Sequence, residues 1–426
     1  MPSTAAHSRP KPVLIGLMAI VVVLGLILLP TLRRSWQEAQ RINRQVDERE
    51  AAFRVQKQKE AEFDAARVQV ELNPNNPDAH LRFASLLGQS RRYTDALKHL
   101  MIASRLAPTR AEPHLAMAEV YQSNSVLDLA LEERRIANVL EPESPKALAA
   151  LGYQYIALNW NMASLRLLTK AAARFPDNPT LRTILALTLY QMRDYRGALR
   201  EVMEAKRLSP TSHELDGPMI DVYNQLGQPD KAEKAADSAL RNDPDSIAGY
   251  VGRARAQRTQ GKLDEAEISV RRAMRLNPNE PKALYELALI QKKRGQAEEA
   301  RATFEQIVQK NPLFEQASVL LGQVYSALGR PQDATRVMEV YNRNMPKAQA
   351  RVRLSLKVGN EPENAGAHFE LGKALLETQR YPMAVVEFKE ALRLQHADKR
   401  VPALLAAALR GMNRPLDAEE ALKAAR

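Results

Sequence analysis

Residues 321–346 read LGQVYSALGRPQDATRVMEVYNRNMP, and the order of side chains along this stretch decides the fold. Leu321 and Tyr325 lie four apart, so they share one face of a helix, with the small Gly322 beside them. Gly329 marks the end of that helix, because a glycine takes the left-handed conformation that stops a helix without a Cβ penalty. Ala334 and Met338 then lie four apart on a second helix. Pro346 follows it and cannot extend it. Two short helices cross closely only where both carry small side chains, so Gly322 and Ala334 mark the crossing and the larger residues fill the ridges beside it.

This stretch is one copy of a period. Prolines stand at 74, 108, 142, 176, 210, 244, 278, 312 and 346, each 34 residues after the last. With 25 prolines in 426 residues, eight such coincidences have a chance on the order of 10⁻¹⁰, and the period is real. Twelve residues before these prolines lie Ala96, Ala130, Ser164, Ala198, Ala232, Ala266, Ala300 and Ala334. Twenty-four before lie Ala84, Ala118, Gly152, Ala186, Ile220, Ala254, Ala288 and Gly322. A turn glycine recurs at Gly227, Gly261, Gly295 and Gly329. A 34-residue helix–turn–helix with Leu321-Gly322-Gln323-Val324-Tyr325, then Ala334, then Pro346, resembles the tetratricopeptide repeat. That resemblance implies an all-α, right-handed superhelical solenoid of stacked helix–turn–helix units.

The period divides the chain. Eight units fill residues 73–346, and two more, the last truncated, fill 365–426 around Leu371-Gly372, Tyr381, Ala384, Phe388, Ala406 and Ala418. Between them Pro346 and Pro362 are only 16 apart, half a repeat. The inserted segment 347–364 contains the alternating run Arg351–Val358 (RVRLSLKV). Alternation alone suggests a strand. Without a partner strand the segment reads as a spare, helix-sized connector at which the superhelix bends or breaks.

The N-terminus is a different object. After a tail of residues 1–12, Val13 to Leu29 (VLIGLMAIVVVLGLILL) carries no charge and sits between Pro12 and Pro30. Counted over 13–32 it spans about 30 Å as a helix, the thickness of a bilayer core. The run is long for a signal peptide, and Leu28-Leu29-Pro30-Thr31 lacks a small-x-small cleavage pattern. It is therefore read as a single-pass anchor in a bacterial inner (plasma) membrane. Arg33, Arg34, Arg41 and Arg44 follow the span, against Arg9 and Lys11 before it. The positive-inside rule then places the repeats on the cytoplasmic side, with the extracytoplasmic side as the alternative. Residues 33–72 hold nine basic and eight acidic side chains with neither Gly nor Pro, which reads as a charged helical stalk. The series Trp36, Ala39, Asn43, Val46 reaches Glu50 and so cannot serve as a coiled-coil seam.

Composition and motifs restrict the chemistry. With no Cys there is no disulfide, no thiolate zinc site and no cysteine nucleophile. Gly261-Lys262-Leu263 and Gly372-Lys373-Ala374 lack the rest of a phosphate loop, and neither H-E-x-x-H nor G-x-S-x-G occurs. His80, His114 and His368 share the fourth position of their units, where a half-buried packing role is expected ahead of a metal site. No enzyme activity and no cofactor are expected. The net charge of +12 falls to +8 without the four basic residues of 1–34 (12 − 4 = 8), too mild and dispersed to favour nucleic acid.

Function is expected instead in the groove. By resemblance, the first helix of each unit lines the concave surface through its second, fifth, ninth, twelfth and thirteenth positions. These read acidic at Asp78, Glu112 and Glu119, and apolar-aromatic at Ala149, Tyr153, Leu187 and Tyr190. They turn basic at Arg255, Arg258, Lys282, Tyr285, Lys292 and Lys293. The Lys and Asn with which chaperone-binding members clamp a terminal carboxylate are absent: those places hold Leu81 and Ser85, Leu115 and Glu119, Ala149 and Tyr153, and Val251 and Arg255. The resulting expectation is a membrane-tethered scaffold that binds peptide or protein segments, with nucleic acid or anionic lipid as the alternative partner.

Overall fold

The structure is a computed structural model. It describes residues 56–311 and 314–424, together with Gln40, Glu50, Phe53 and Arg54. The apolar run of 13–32 and about half of the stalk lie outside the described residues. Among the described residues no helix is long and apolar enough to cross a membrane.

Every described element is helical. After helix α1 (56–72) come twenty α-helices that alternate as first and second members of ten repeats. Their first helices are α2 (Pro77–Gln89), α4 (Glu112–Ser123), α6 (Pro145–Ala157), α8 (Pro179–Gln191), α10 (Asp216–Gln225), α12 (Ile247–Gln260), α14 (Pro281–Lys293), α16 (Glu315–Ala327), α18 (Ala365–Glu377) and α20 (Val401–Gly411). Their second helices are α3 (Tyr93–Leu106), α5 (Leu127–Leu140), α7 (Asn161–Arg174), α9 (Tyr195–Leu208), α11 (Pro229–Asn242), α13 (Leu263–Leu276), α15 (Ala297–Lys310), α17 (Pro331–Asn360), α19 (Tyr381–Arg393) and α21 (Pro415–Lys423). Two compact units divide the chain, Met1–Leu86 and Leu87–Arg426. In the first, Phe63 of α1 packs on Phe83 with ring centroids 5.2 Å apart. The rest of the fold concerns the second.

The small-residue columns sit where helices cross. Ala96, Ala130, Ala198, Ala232, Ala266 and Ala300 are all fully buried, as are Ala118, Ala254 and Ala288. Where the column is glycine the partner is larger: a Cβ on Gly152 would come within 2.7 Å of Leu168, and one on Gly372 within 2.7 Å of Phe388. Side-chain caps start several helices. Asn178 accepts from the amide of Leu181 at 3.0 Å, and Asn364 from that of Ala367 at 2.9 Å.

The turn between paired helices is more regular than its sequence. Gly227, Gly261, Gly295 and Gly329 take positive φ, and so do Arg91, Ser125, Asn159 and Arg193. The eight positions are 34 apart. The geometry of the turn is thus common to all these units, and the non-glycine ones carry the strain of a left-handed L-residue. The next such residues, Gln379 and Asn413, are displaced by the inserted half repeat, since 379 − 329 = 34 + 16.

The insertion does not break the array. Residues 347–360, set apart in the sequence as part of a connector, continue α17 as one helix of 30 residues with Pro346 inside it. Pro346 lacks the N–H for one rung of the ladder, yet packing downstream holds the helix. Its second half lies on α7: Val358 is fully buried, and the Cα of Gly359 comes so near α7 that a Cβ there would be 3.3 Å from the carbonyl oxygen of Asn159. The alternating run supplies two helical faces, with Leu354 and Val358 against the core and Val352 and Leu356 exposed.

This docking brings the far end of the chain back onto the second and third pairs. α19 packs on α5, and one apolar core contains Leu131, Leu158 and Trp160 together with Val358, Leu371, Val385 and Phe388. Around it lies a polar shell. Asp128, with its side chain buried, pairs with Lys389 at 2.8 Å and Arg414 at 2.9 Å. Arg135 donates to Glu390 at 3.0 Å. The indole N–H of Trp160 donates to Glu387 at 3.0 Å, and His368 Nδ1 lies 2.6 Å from the other oxygen of Glu387.

Candidate functional site

Two clefts open along the first helices. The larger, about 610 Å³, spans α4, α6 and α8. Glu119, Lys146 and Tyr153 line it from those helices, and Arg134 reaches it from α5. Tyr153 is 47% exposed, a large aromatic face presented to solvent. Arg134 is buried at the floor. Its guanidinium is held by amides, donating to Gln122 Oε1 at 2.9 Å and to Gln154 Oε1. Burial lowers its pKa, against the pull of Glu119 and Tyr153. No carboxylate among the described residues is in ion-pair contact with it, and the side-chain nitrogen of the fully buried Gln154 has no hydrogen-bond partner. The cleft therefore has an apolar-aromatic wall over a cationic floor suited to a hydrogen-bond acceptor.

The second cleft, about 260 Å³, spans α8, α10, α12 and α14. Tyr190, Arg255, Lys282 and Tyr285 line it with Glu286 and Phe314. Tyr285 packs on Phe314 at 5.0 Å. The hydroxyl of Tyr190 accepts from Gln225 at 3.2 Å. Burial pushes both phenols above their ordinary pKa, so both stay neutral. The two clefts meet on α8, which gives Ile184 to one and Tyr190 to the other.

The remaining groove candidates are placed as follows. Leu187 is half-buried on α8 and lines neither cleft. Arg258 donates to Glu286 at 2.7 Å, and Lys292 to Gln323 at 2.7 Å. The section read as basic is in fact largely paired: Glu286, 5% exposed, also faces Arg255 at 3.7 Å, Lys282 reaches Asp221 at 3.4 Å, and Lys293 donates to the carbonyl of Arg258 at 3.0 Å. Reading one helix position at a time could not show this, because each partner sits on another helix, 28 residues away for Arg258 and Glu286. Arg134 was missed for a related reason: it lies on a second helix, outside the positions expected to face the groove.

The histidines are engaged in packing. His114 Nδ1 lies 2.7 Å from Glu133, and His80 Nε2 lies 2.9 Å from the carbonyl of Pro74. His368 is fully buried between Glu387, the carbonyl of Pro362 at 2.9 Å, and the Trp160 ring at 5.2 Å. Among the described residues no group of three or more His, Cys, Asp or Glu is placed to hold a metal.

Family models described as tetratricopeptide repeat match this chain, one over residues 219–281 and 338–398 and another over 257–315 and 293–357. Together these matches cover residues 219–398 of the solenoid. No curated protein matches the chain. Among solved structures it is similar to a human IFIT1 dimer with m7Gppp-AAAA, at 18% identity and a TM-score of 0.47, over 86% of this chain and 94% of that one. It is also similar to Pseudomonas aeruginosa pilF, at 20% identity and 0.43, over 50% and 96%. A third is a tetratricopeptide repeat protein from Parabacteroides merdae, at 17% and 0.35, over 70% and 98%. These likenesses concern the stacking of helix pairs alone. The match at 338–398 runs across the inserted half of α17 and through α19.

Proposed function

We propose that this chain is a non-enzymatic, membrane-tethered scaffold that captures a segment of another protein along its first-helix face. The observation that carries the reading is the pair of clefts that meet on α8, one with the exposed Tyr153 over the buried Arg134 and one with Tyr190 and Tyr285. Aromatic walls supply contact area at low entropic cost, and a buried guanidinium held only by amides selects an acceptor, a carbonyl or carboxylate of the bound segment. The apolar run of 13–32 supports the tether, and the excess of arginine after it supports a cytoplasmic array in a bacterial inner membrane. Pairing of Arg255, Arg258, Lys282 and Lys293 within the protein leaves little free positive charge on this face, which favours a protein segment over nucleic acid.

Photo-cross-linkers placed at Tyr153, at Tyr285 and, as control, at the exposed Val139 of α5 would test this in native membranes. Adducts to a common protein from the first two and none from the third are expected. Equal labelling from all three, or adducts only to RNA, would refute the reading.

A further inference from the structure

Apart from the two clefts on α4–α14, a cleft of about 250 Å³ opens where the second half of α17 meets the start of α7 and the pair α18–α19. Val352, Leu356, Leu371 and Met383 give it an apolar wall. Arg351 and Arg380 line the same cleft, and no carboxylate does. Arg135, Arg255, Arg258 and Arg414 each face a carboxylate, whereas Arg351 and Arg380 make no ion pair among the described residues. One terminal nitrogen of Arg351 is buried without a hydrogen-bond partner, and so is the side-chain oxygen of Asn161, which also lines the cleft. Burial, and then the like charge of Arg380, holds Arg351 below the ordinary arginine pKa. Two guanidiniums thus share a half-enclosed space, repel each other and lack a counter-ion, an arrangement that a bound anion would relieve.

We propose that this cleft binds a small organic anion, a carboxylate on a short apolar body. The fork of Arg351 and the neighbouring Arg380 match the two oxygens of a carboxylate. Val352, Leu356, Leu371 and Met383 cover the apolar part, and Asn161 and Ser355 offer further polar contacts. Bare phosphate would leave the apolar wall wet, and an alcohol of the same length would leave both guanidiniums unpaired. Arg351 belongs to α17, Arg380 precedes α19 and Asn161 opens α7, so the ligand bridges two elements of the returning end and the helix on which they dock. This inference does not depend on the groove, which lies on other helices.

Calorimetric titration of the full chain in lipid nanodiscs with hexanoate, inorganic phosphate and hexan-1-ol tests it. Hexanoate is expected to bind about tenfold or more tightly than either of the others, and Arg351→Gln and Arg380→Gln should each weaken it about tenfold or more, the loss of a charged hydrogen bond. Arg353→Gln removes the same charge from an exposed site outside the cleft and should leave binding intact. Should Arg351→Gln disturb α17, Arg380→Gln decides, because Arg380 is exposed. Phosphate or hexanol binding as well as hexanoate, hexanoate binding unchanged in Arg380→Gln, or no hexanoate heat at all would each overturn the proposal.

Discussion

From α12 to α15 the array is held by residues close in sequence: Ala254, Ala266, Ala273 and Ala283 at the crossings, with Val270, Leu287 and Ile290 beside them. Where α17–α21 return to α5 and α7, the partners are 255 residues apart for Arg135 and Glu390, 286 for Asp128 and Arg414, and 227 for Trp160 and Glu387. The first region is a run of nearest-neighbour interfaces whose stability is roughly a sum of equal terms. The second is a single contact surface, aromatic at its centre and ionic at its edge, made between residues more than 200 positions apart. Sequence separation therefore divides a stack that any unit can extend from a joint that only these residues make.

Removing the carboxylate shared by Lys389 and Arg414 at the joint's edge should separate the two most. Asp128→Ala leaves Lys389 and Arg414 without their shared carboxylate, and breaking a buried pair in this way costs about 3–5 kcal/mol. Hydrogen exchange should show lost protection in α18–α21 with α12–α15 unchanged; an even loss throughout would mean that the joint and the stack are one cooperative unit. Acid should reproduce that loss without mutation. Burial alone would raise Asp128 and Glu390, but Lys389 and Arg414 hold the first, and Arg135 and Arg393 the second, below the ordinary carboxylate pKa. Stability from these groups is present above the unfolded carboxylate range near pH 4 and is lost as pH falls below it. The check is exchange protection of α18–α21 followed from pH 6 downward.

A smaller effect is expected from Trp160→Phe. It keeps the ring against His368 and removes the N–H that reaches Glu387, leaving a fully buried carboxyl one donor short at about 1–3 kcal/mol. Urea unfolding measures it, and a change within error would show that the indole serves by shape alone. Within the stack, Gly261→Ala should cost roughly 1 kcal/mol. Gly261 has φ of +84° and nothing within 4 Å of a new Cβ, so the penalty is conformational. Arg193→Gly at the equivalent turn should move stability the other way by less.

The gentlest expected effect is on the alkaline side. Burial works against protonation of His368, but Glu387 holds it above its ordinary value; burial pushes Glu387 up in turn, against His368 and Trp160. Both shifts mean that the native joint binds more protons here than the unfolded chain. The His368 contribution is complete below the unfolded histidine value near 6.5 and declines as pH rises past it, whereas that of Glu387 is complete only below the unfolded carboxyl value near 4.3 and declines above it. With Trp36→Phe as background, Trp160 is the sole indole, and its emission should shift to the red between pH 7 and 9. Emission constant over that range would remove the pair from the joint's pH response.

Local spacing was enough to read the pairs, their crossings and the half-repeat insertion, because a helix pair buries its apolar side only against copies of itself and so repeats its own pattern. The same spacing named Tyr153, Tyr190 and Tyr285 as groove candidates, which line the two clefts, but could not show the carboxylates that face the basic section, since an ion pair depends on which helix lies opposite. It gave no sign of Arg134 at the cleft floor. Nor did it show that the insertion docks on α7 and carries Leu371, Phe388 and Glu387 back to Trp160. That outcome follows from rotation accumulated over several units plus a shift of half a repeat, a sum of small angles that no individual repeat contains. The linear order of residues determined the unit and its stacking rule; the three-dimensional path alone decided where the stack meets itself and which charges are left without a partner.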